Sequence, residues 1–307
     1  MKKIKLILMY LWASTSVLLA QEFTSKDLTL NAHIDGTLLT PENDSRSKLV
    51  ILIAGSGPTD RDGNQSFMKN NSLKKLAEFL SNSGIASFRY DKRIVKQIRT
   101  GTIDDSIRFD DFVTDAKSVI EYFKPSYETI VVAGHSQGSL VGLLALDSGA
   151  SGFISLAGAG KSIDAILVDQ ISKTAPMFLD DTKRVLKSLK EGQTTSDFPA
   201  ALGSIFNLDI QPFMMNWMQY DPAKILSEQS IPTLIINGTK DLQVGVDEAK
   251  LLDSNAQNST LVVVENLNHV LVKIEGGDLE NAKSYNESNR PIAEEVTQAM
   301  LDYINAL

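Results

Sequence analysis

Thr129-Ile130-Val131-Val132-Ala133-Gly134-His135-Ser136-Gln137-Gly138-Ser139-Leu140-Val141 begins as a β-rich run and ends as the start of a helical pattern. Between the two, Gly134 and Gly138 bracket Ser136 at two positions on either side. A strand that turns sharply into a helix forces its apex residue into a strained conformation, and side chains two positions away would collide. Glycine at both places is what such a turn requires. The apex serine is then held out at the carboxyl end of a sheet, over the N-terminus of the following helix.

Outward from this turn, strand-like runs recur at Leu49 to Ala54, Ile85 to Tyr90, Phe153 to Ala157, Thr233 to Asn237 and Leu261 to Val264. Nearly continuous Val/Ile/Leu stretches such as Leu49-Val50-Ile51-Leu52-Ile53 suit strands buried on both faces of a parallel sheet. Helical periods separate them. Leu73, Leu76, Phe79 and Leu80 share a face, as do Phe112, Val113, Ala116, Val119, Ile120 and Phe123, while Ile292, Val296, Met300, Tyr303 and Ile304 predict a closing helix. The alternation predicts an α/β fold, a mostly parallel central sheet flanked by helices. Leu28, Leu30, Ala32 and Ile34 before Gly36 suggest edge strands or a hairpin.

From Lys161 to Tyr220 the alternation stops, leaving helical stretches and no clear strand. We expect an inserted helical cap over 161–221, with the α/β core formed by 21–160 and 222–307. The run Phe213-Met214-Met215-Asn216-Trp217-Met218-Gln219-Tyr220 either packs the cap interior or lines an acyl or aromatic pocket, for which adaptable Met side chains are suited.

Composition narrows the chemistry. The 307 residues include no Cys, which excludes disulfides, thiolate metal sites and a cysteine nucleophile, and only three His. A serine hydroxyl needs a base to take its proton, and the base needs an acid to orient it. His135 sits inside the turn and cannot fold back onto Ser136, and His33 lies in the expected hairpin, which leaves His269, on the loop after the last strand. Asp241 leaves the end of the run Leu234 to Asn237 directly, whereas its competitors Asp247 and Glu248 belong to the next helix. The order Ser136, Asp241, His269 is one in which a nucleophile, an acid and a base are known to occur. Two main-chain amides must stabilise the oxyanion: that of Gln137, by the geometry of the turn, and that of Ser56, in the loop Ala54-Gly55-Ser56-Gly57-Pro58 after the first core strand.

These features resemble the α/β-hydrolase superfamily over nearly all of the chain beyond the leader. Within it the sequence is similar to exported bacterial serine esterases with a small helical cap, often grouped with S33-type hydrolases. The closer match lies in Gly55-Ser56-Gly57-Pro58-Thr59-Asp60-Arg61-Asp62-Gly63-Asn64, Phe88-Arg89-Tyr90-Asp91-Lys92-Arg93 and Gly134-His135-Ser136-Gln137-Gly138-Ser139. One departure is Ala54, where such proteins commonly have His; the oxyanion donor is a main-chain group, so the change does not remove it. The resemblance implies hydrolysis of small to medium carboxylic esters through an acyl-enzyme on Ser136, Asp241 and His269, with neither metal nor organic cofactor. An exported aminopeptidase-like hydrolase, or a hydrolase-fold protein that only binds a small apolar ligand, are the alternatives. Asp60, Arg61 and Asp62 are expected to tie down the loop after the first core strand through Asx turns and an Arg–carboxylate pair.

Residues 1–20 open with Lys2, Lys3 and Lys5 and continue through an interrupted apolar stretch to Ala20, which predicts a secretory signal peptide and a periplasmic or extracellular protein. The net charge of −8 disfavours nucleic acid as a partner. No later stretch is long and apolar enough to span a membrane, and the resemblance makes a small-molecule ester the expected partner.

Overall fold

The computed structural model describes residues 23–43 and 47–307; the expected signal peptide lies outside the described residues. Eight strands form one sheet: β1 (Phe23–Thr29), β2 (Asp35–Pro41), β3 (Lys48–Ile53), β4 (Ala86–Tyr90), β5 (Thr129–His135), β6 (Gly152–Leu156), β7 (Thr233–Gly238) and β8 (Ser259–Val264). Their spatial order is β1-β2-β4-β3-β5-β6-β7-β8. The β1–β2 hairpin is antiparallel and β2 pairs antiparallel with β4, whereas every pair from β4 to β8 is parallel. All six core runs read from the sequence are strands, and the N-terminal segment is the hairpin.

Helices α1 (Ser72–Asn82), α2 (Arg93–Thr100), α3 (Phe109–Phe123) and α4 (Gln137–Ala145) occupy the first half of the chain. Next come α5 (Ile163–Thr174), α6 (Leu179–Lys190), α7 (Gly203–Phe206) and α8 (Gln211–Trp217). The chain then returns to the sheet through α9 (Pro222–Ser227), α10 (Val246–Asn255), α11 (Asp278–Ser284) and α12 (Glu294–Ala306).

Period-two alternation along the buried strands sends successive side chains to opposite faces. Leu49, Ile51 and Ile53 of β3 join α3, α4, α9 and α10 in one core, and Val50 and Leu52 join α1 and α12 in the other. The helices of residues 161–221 have a cluster of their own, built on Leu167, Val185, Leu186, Leu189, Phe206 and Met214. Trp217 packs against both this cluster and the α3 side of the core, so it joins the cap segment to the sheet. Its ring stacks on Phe109 at 5.5 Å between centroids and 3° between planes.

Because β4 lies on one side of β3 and β5 on the other, the connections leaving β3 and β5 diverge. A crevice opens at their carboxyl ends, the usual place for ligands in an open α/β sheet. Among the described residues no helix is long and apolar enough to cross a membrane.

Candidate active site

Ser136 follows β5 at that crevice with φ 53° and ψ −121°, a conformation that L residues with side chains adopt only under strain. The turn is held from both sides. Ser136 N–H donates to the Leu156 carbonyl at 2.9 Å, and the Ser139 amide donates to the Ser136 carbonyl at 2.9 Å. A Cβ on Gly134 would stand 2.1 Å from the Gly138 oxygen, and one on Gly138 would stand 2.4 Å from the Ile53 oxygen. Both glycines are therefore sterically obligatory, as the sequence requires. Gln137 is the first residue of α4, so its amide has no partner inside the helix.

Asp241 leaves β7 and His269 follows β8, and the two side chains meet. His269 Nδ1 lies 2.8 Å from Asp241 Oδ2, with the imidazole and carboxylate side chains 5% and 0% exposed. Asp241 Oδ1 accepts the amides of Gln243 at 2.8 Å and Val244 at 2.9 Å. A carboxylate that accepts two amides and faces Nδ1 fixes the ring orientation and leaves Nε2 to exchange protons. Of the competing acids, Asp247 is exposed, whereas Glu248 is buried and accepts the amides of Gly160 at 3.0 Å and Lys161 at 2.9 Å.

Two residues hold the His269 loop, Asn268, which sequence reasoning did not single out, and His135, which it set aside as a base. Asn268 is 1% exposed. Its Oδ1 accepts the amides of Val270 and Val272, and its Nδ2 donates to Asn281 Oδ1 and Ser284 Oγ on α11. His135 reaches across from β5. Its Nε2 lies 2.7 Å from the His269 carbonyl oxygen, and since a carbonyl only accepts, that nitrogen carries the proton. Burial, reinforced by the neighbouring His269 ring, lowers the His135 pKa to about 4 and keeps it neutral. The only signal for either residue is its position next to a candidate site residue.

The loop after β3 lies against the serine. A Cβ on Gly55 would stand 3.3 Å from Ser136 Cβ, and Ser56 and Gly57 line the same cavity as Ser136 and Gln137. The Ser56 carbonyl accepts from Thr59 Oγ1 at 2.7 Å and Gln65 Nε2 at 2.8 Å. Asp60 Oδ1 accepts the amides of Asp62 and Asn64 at 2.9 and 2.8 Å, an Asx turn. Arg61 pairs with Asp91 through Nε at 3.1 Å and Nη2 at 2.7 Å, and Arg89 Nε bonds Asp62 at 2.9 Å. Arg61 with Asp91 and Arg89 with Asp62 thus tie the two motif strings together and brace the loop, the Asx turn and Arg–carboxylate pair expected of Asp60, Arg61 and Asp62 among them.

Above the serine, a cavity of about 600 Å³ opens between the sheet and the helices of residues 161–221. Phe112, Leu140, Ile166, Leu167, Phe213 and Trp217 make its wall apolar. Within the Met and aromatic run, Met214 is buried in the hydrophobic cluster of residues 161–221 and also lines the cavity. Among the described residues no group of three or more His, Asp and Glu side chains is arranged to hold a metal ion.

No family model matches the chain. It is similar to esterase EstD from Thermotoga maritima, with 27% identity over 270 residues, which are 83% of this chain and 62% of that protein. The chain therefore spans less than two thirds of the length of that relative. Among solved structures, Est1E from Butyrivibrio proteoclasticus aligns over 92% of this chain and 99% of its own, at 18% identity and a TM-score of 0.58. An esterase from Pyrococcus furiosus aligns over 97% of this chain and 96% of its own, at 15% identity and a TM-score of 0.53. With the eight-stranded, mostly parallel sheet and its flanking helices, these likenesses establish that the chain has the α/β-hydrolase fold.

Proposed function

We propose that the protein is a serine hydrolase that cleaves small to medium carboxylic esters through an acyl-enzyme. What supports this reading is a strained, cavity-facing Ser136 together with a buried His269–Asp241 pair whose histidine carbonyl is bound by His135, the residue before Ser136. Ser136 Oγ attacks the ester carbonyl carbon and His269 Nε2 takes the hydroxyl proton, while Asp241 stabilises the resulting imidazolium. The carbonyl oxygen becomes an oxyanion facing the amides of Gln137 and Ser56. Collapse of the tetrahedral species expels the alcohol, which takes the proton from His269. Water, deprotonated by the same imidazole, then attacks the acyl-enzyme and releases the acid. The similarity to esterase EstD supports an ester as substrate, and the apolar wall supports an uncharged acyl group. The lysine-led apolar leader at residues 1–20 supports export to the periplasm or beyond.

The test exposes the purified protein to a fluorophosphonate probe and to p-nitrophenyl esters of increasing acyl length, with Ser136→Ala alongside. The expected result is labelling of Ser136 and turnover that the variant lacks. A folded protein that neither labels nor turns over any ester of the series refutes the reading.

A further inference from the structure

We infer that Lys92 is a positioning residue for the oxyanion site, orienting both of its amide donors from beneath; this rests on the hydrolase reading above. Lys92 follows β4 at the same sheet edge and is buried. Its Nζ lies 2.9 Å from the Gly55 carbonyl and 2.5 Å from Gln137 Oε1, and 4.3 Å from the centre of the Phe112 ring. An ammonium group has three donors, and these three partners match them: a carbonyl, an amide oxygen and the negative face of an aromatic ring.

The two oxygens it holds are the significant ones. Gly55 C=O and Ser56 N–H belong to one peptide unit, which is trans because the described chain has no cis peptide bonds. In a planar trans peptide the carbonyl and the amide hydrogen point in opposite directions. A cation that draws the Gly55 oxygen toward itself therefore turns the Ser56 N–H the other way. The next carbonyl, of Ser56, is fixed separately by Thr59 and Gln65, so neither peptide flanking Ser56 is free to flip. Gln137, whose amide is the other donor, is gripped through its side chain by the same ammonium. One side chain thus links the β3 loop to the first turn of α4 and sets the spacing between the two amides.

Holding a lysine there is costly. Burial alone pulls its pKa down to about 7, and an apolar side chain of the same length would spare the fold that desolvation. Packing therefore gives no reason for a lysine at this position, whereas orientation of a peptide dipole does.

Lys92→Met keeps the stem length and removes all three donors. The expected result is a kcat lower by roughly 10- to 100-fold with KM within about twofold, since a misoriented oxyanion donor matters in the transition state and not in substrate binding. Affinity for an alkyl boronic acid, which forms a tetrahedral adduct with the serine, should fall by the same factor. Lys92→Arg, which returns a buried cation with donors, should recover part of kcat. A folded Met variant with kcat within threefold of the parent, or one that loses KM alone, overturns the inference. Should the Met variant not fold, Lys92→Gln carries the test. Its side chain is too short to reach both oxygens, and an unchanged kcat there overturns the inference equally. A parent protein that neither turns over esters nor binds the boronic acid would instead refute the hydrolase reading itself.

Discussion

His135 should make this protein less stable in acid, and the amount of its contribution follows from its surroundings. The ring is half-buried, donates from Nε2 to the His269 carbonyl, and has its Nδ1 near the Gly55 backbone, where a Cβ would be 3.2 Å away. Burial, with the neighbouring His269 ring adding to it, lowers its pKa from 6.5 to about 4 in the folded state. Above pH 6.5 both folded and unfolded chains hold a neutral imidazole, and the residue makes no pH-dependent contribution. Between pH 6.5 and 4 the unfolded chain binds a proton that the folded chain refuses, so stability falls as the pH falls. The loss is about 2 kcal/mol at pH 5 and about 3 kcal/mol at pH 4. His135→Gln puts an amide N–H in place of Nε2 and does not titrate. Urea unfolding of both proteins from pH 7.5 to 4 cancels the contributions of acidic groups common to the two. The stability difference favouring the parent at pH 7.5 should shrink by about 2 kcal/mol at pH 5. Curves that stay parallel within about 0.5 kcal/mol would refute the neutral assignment.

Three further outcomes are expected. Ser136→Ala should abolish ester turnover with almost no change in melting temperature, because the positive φ at 136 is strain that either side chain bears; a retained rate would sink the mechanism. Trp217→Ala should destabilise the protein by about 2 kcal/mol and enlarge the cavity, raising activity on long-chain relative to short-chain p-nitrophenyl esters. An unchanged chain-length profile would remove Trp217 from the acyl site. Asp91→Ala should cost about 3 kcal/mol in urea unfolding and lower kcat, since the 5%-exposed carboxylate binds Arg61 bidentately and Arg61 belongs to the loop after β3. A loss under about 1 kcal/mol would mean that Asp27 and solvent compensate Arg61.

The strands were legible because burial on both faces gives continuous Val/Ile/Leu runs, and the turn at Ser136 because steric exclusion demands glycine. Asp241 was legible as the first acid beyond a strand end. What escaped notice has polar or short signals. Helix α11 buries Asn281 and Ser284 rather than an apolar stripe, so no hydrophobic period announces it. Its contribution to the site passes through hydrogen bonds to Asn268 from residues more than a helical turn away in sequence. Helix α2 begins in the basic string after β4, and Arg93 is its only buried residue, held by Asp115 and Asp111. Lys92 stands in one basic string with Arg89, Asp91 and Arg93, yet those three make ion pairs while Lys92 faces the Gly55 carbonyl and Gln137 Oε1. Sequence spacing cannot separate these, because the distinction lies in which strand end each side chain crosses.

Three unfavourable groups of this fold lie at one edge of the sheet. Ser136 holds a positive φ, Lys92 is an ammonium buried without a carboxylate, and His135 is an imidazole that burial keeps neutral. All three lie at the carboxyl ends of β4 and β5, whereas the middles of the same strands carry Phe88, Val131 and Val132 at 0% exposure. A cost placed there is supported by the surrounding core, which over-determines the backbone at the turn. If the buried cation serves catalysis, removing it should separate activity from stability. Lys92→Met removes a desolvated charge but leaves the Gly55 carbonyl and Gln137 Oε1 without their donor, so stability should change little while kcat falls, and a fully active variant would show that the edge had no need of the charge.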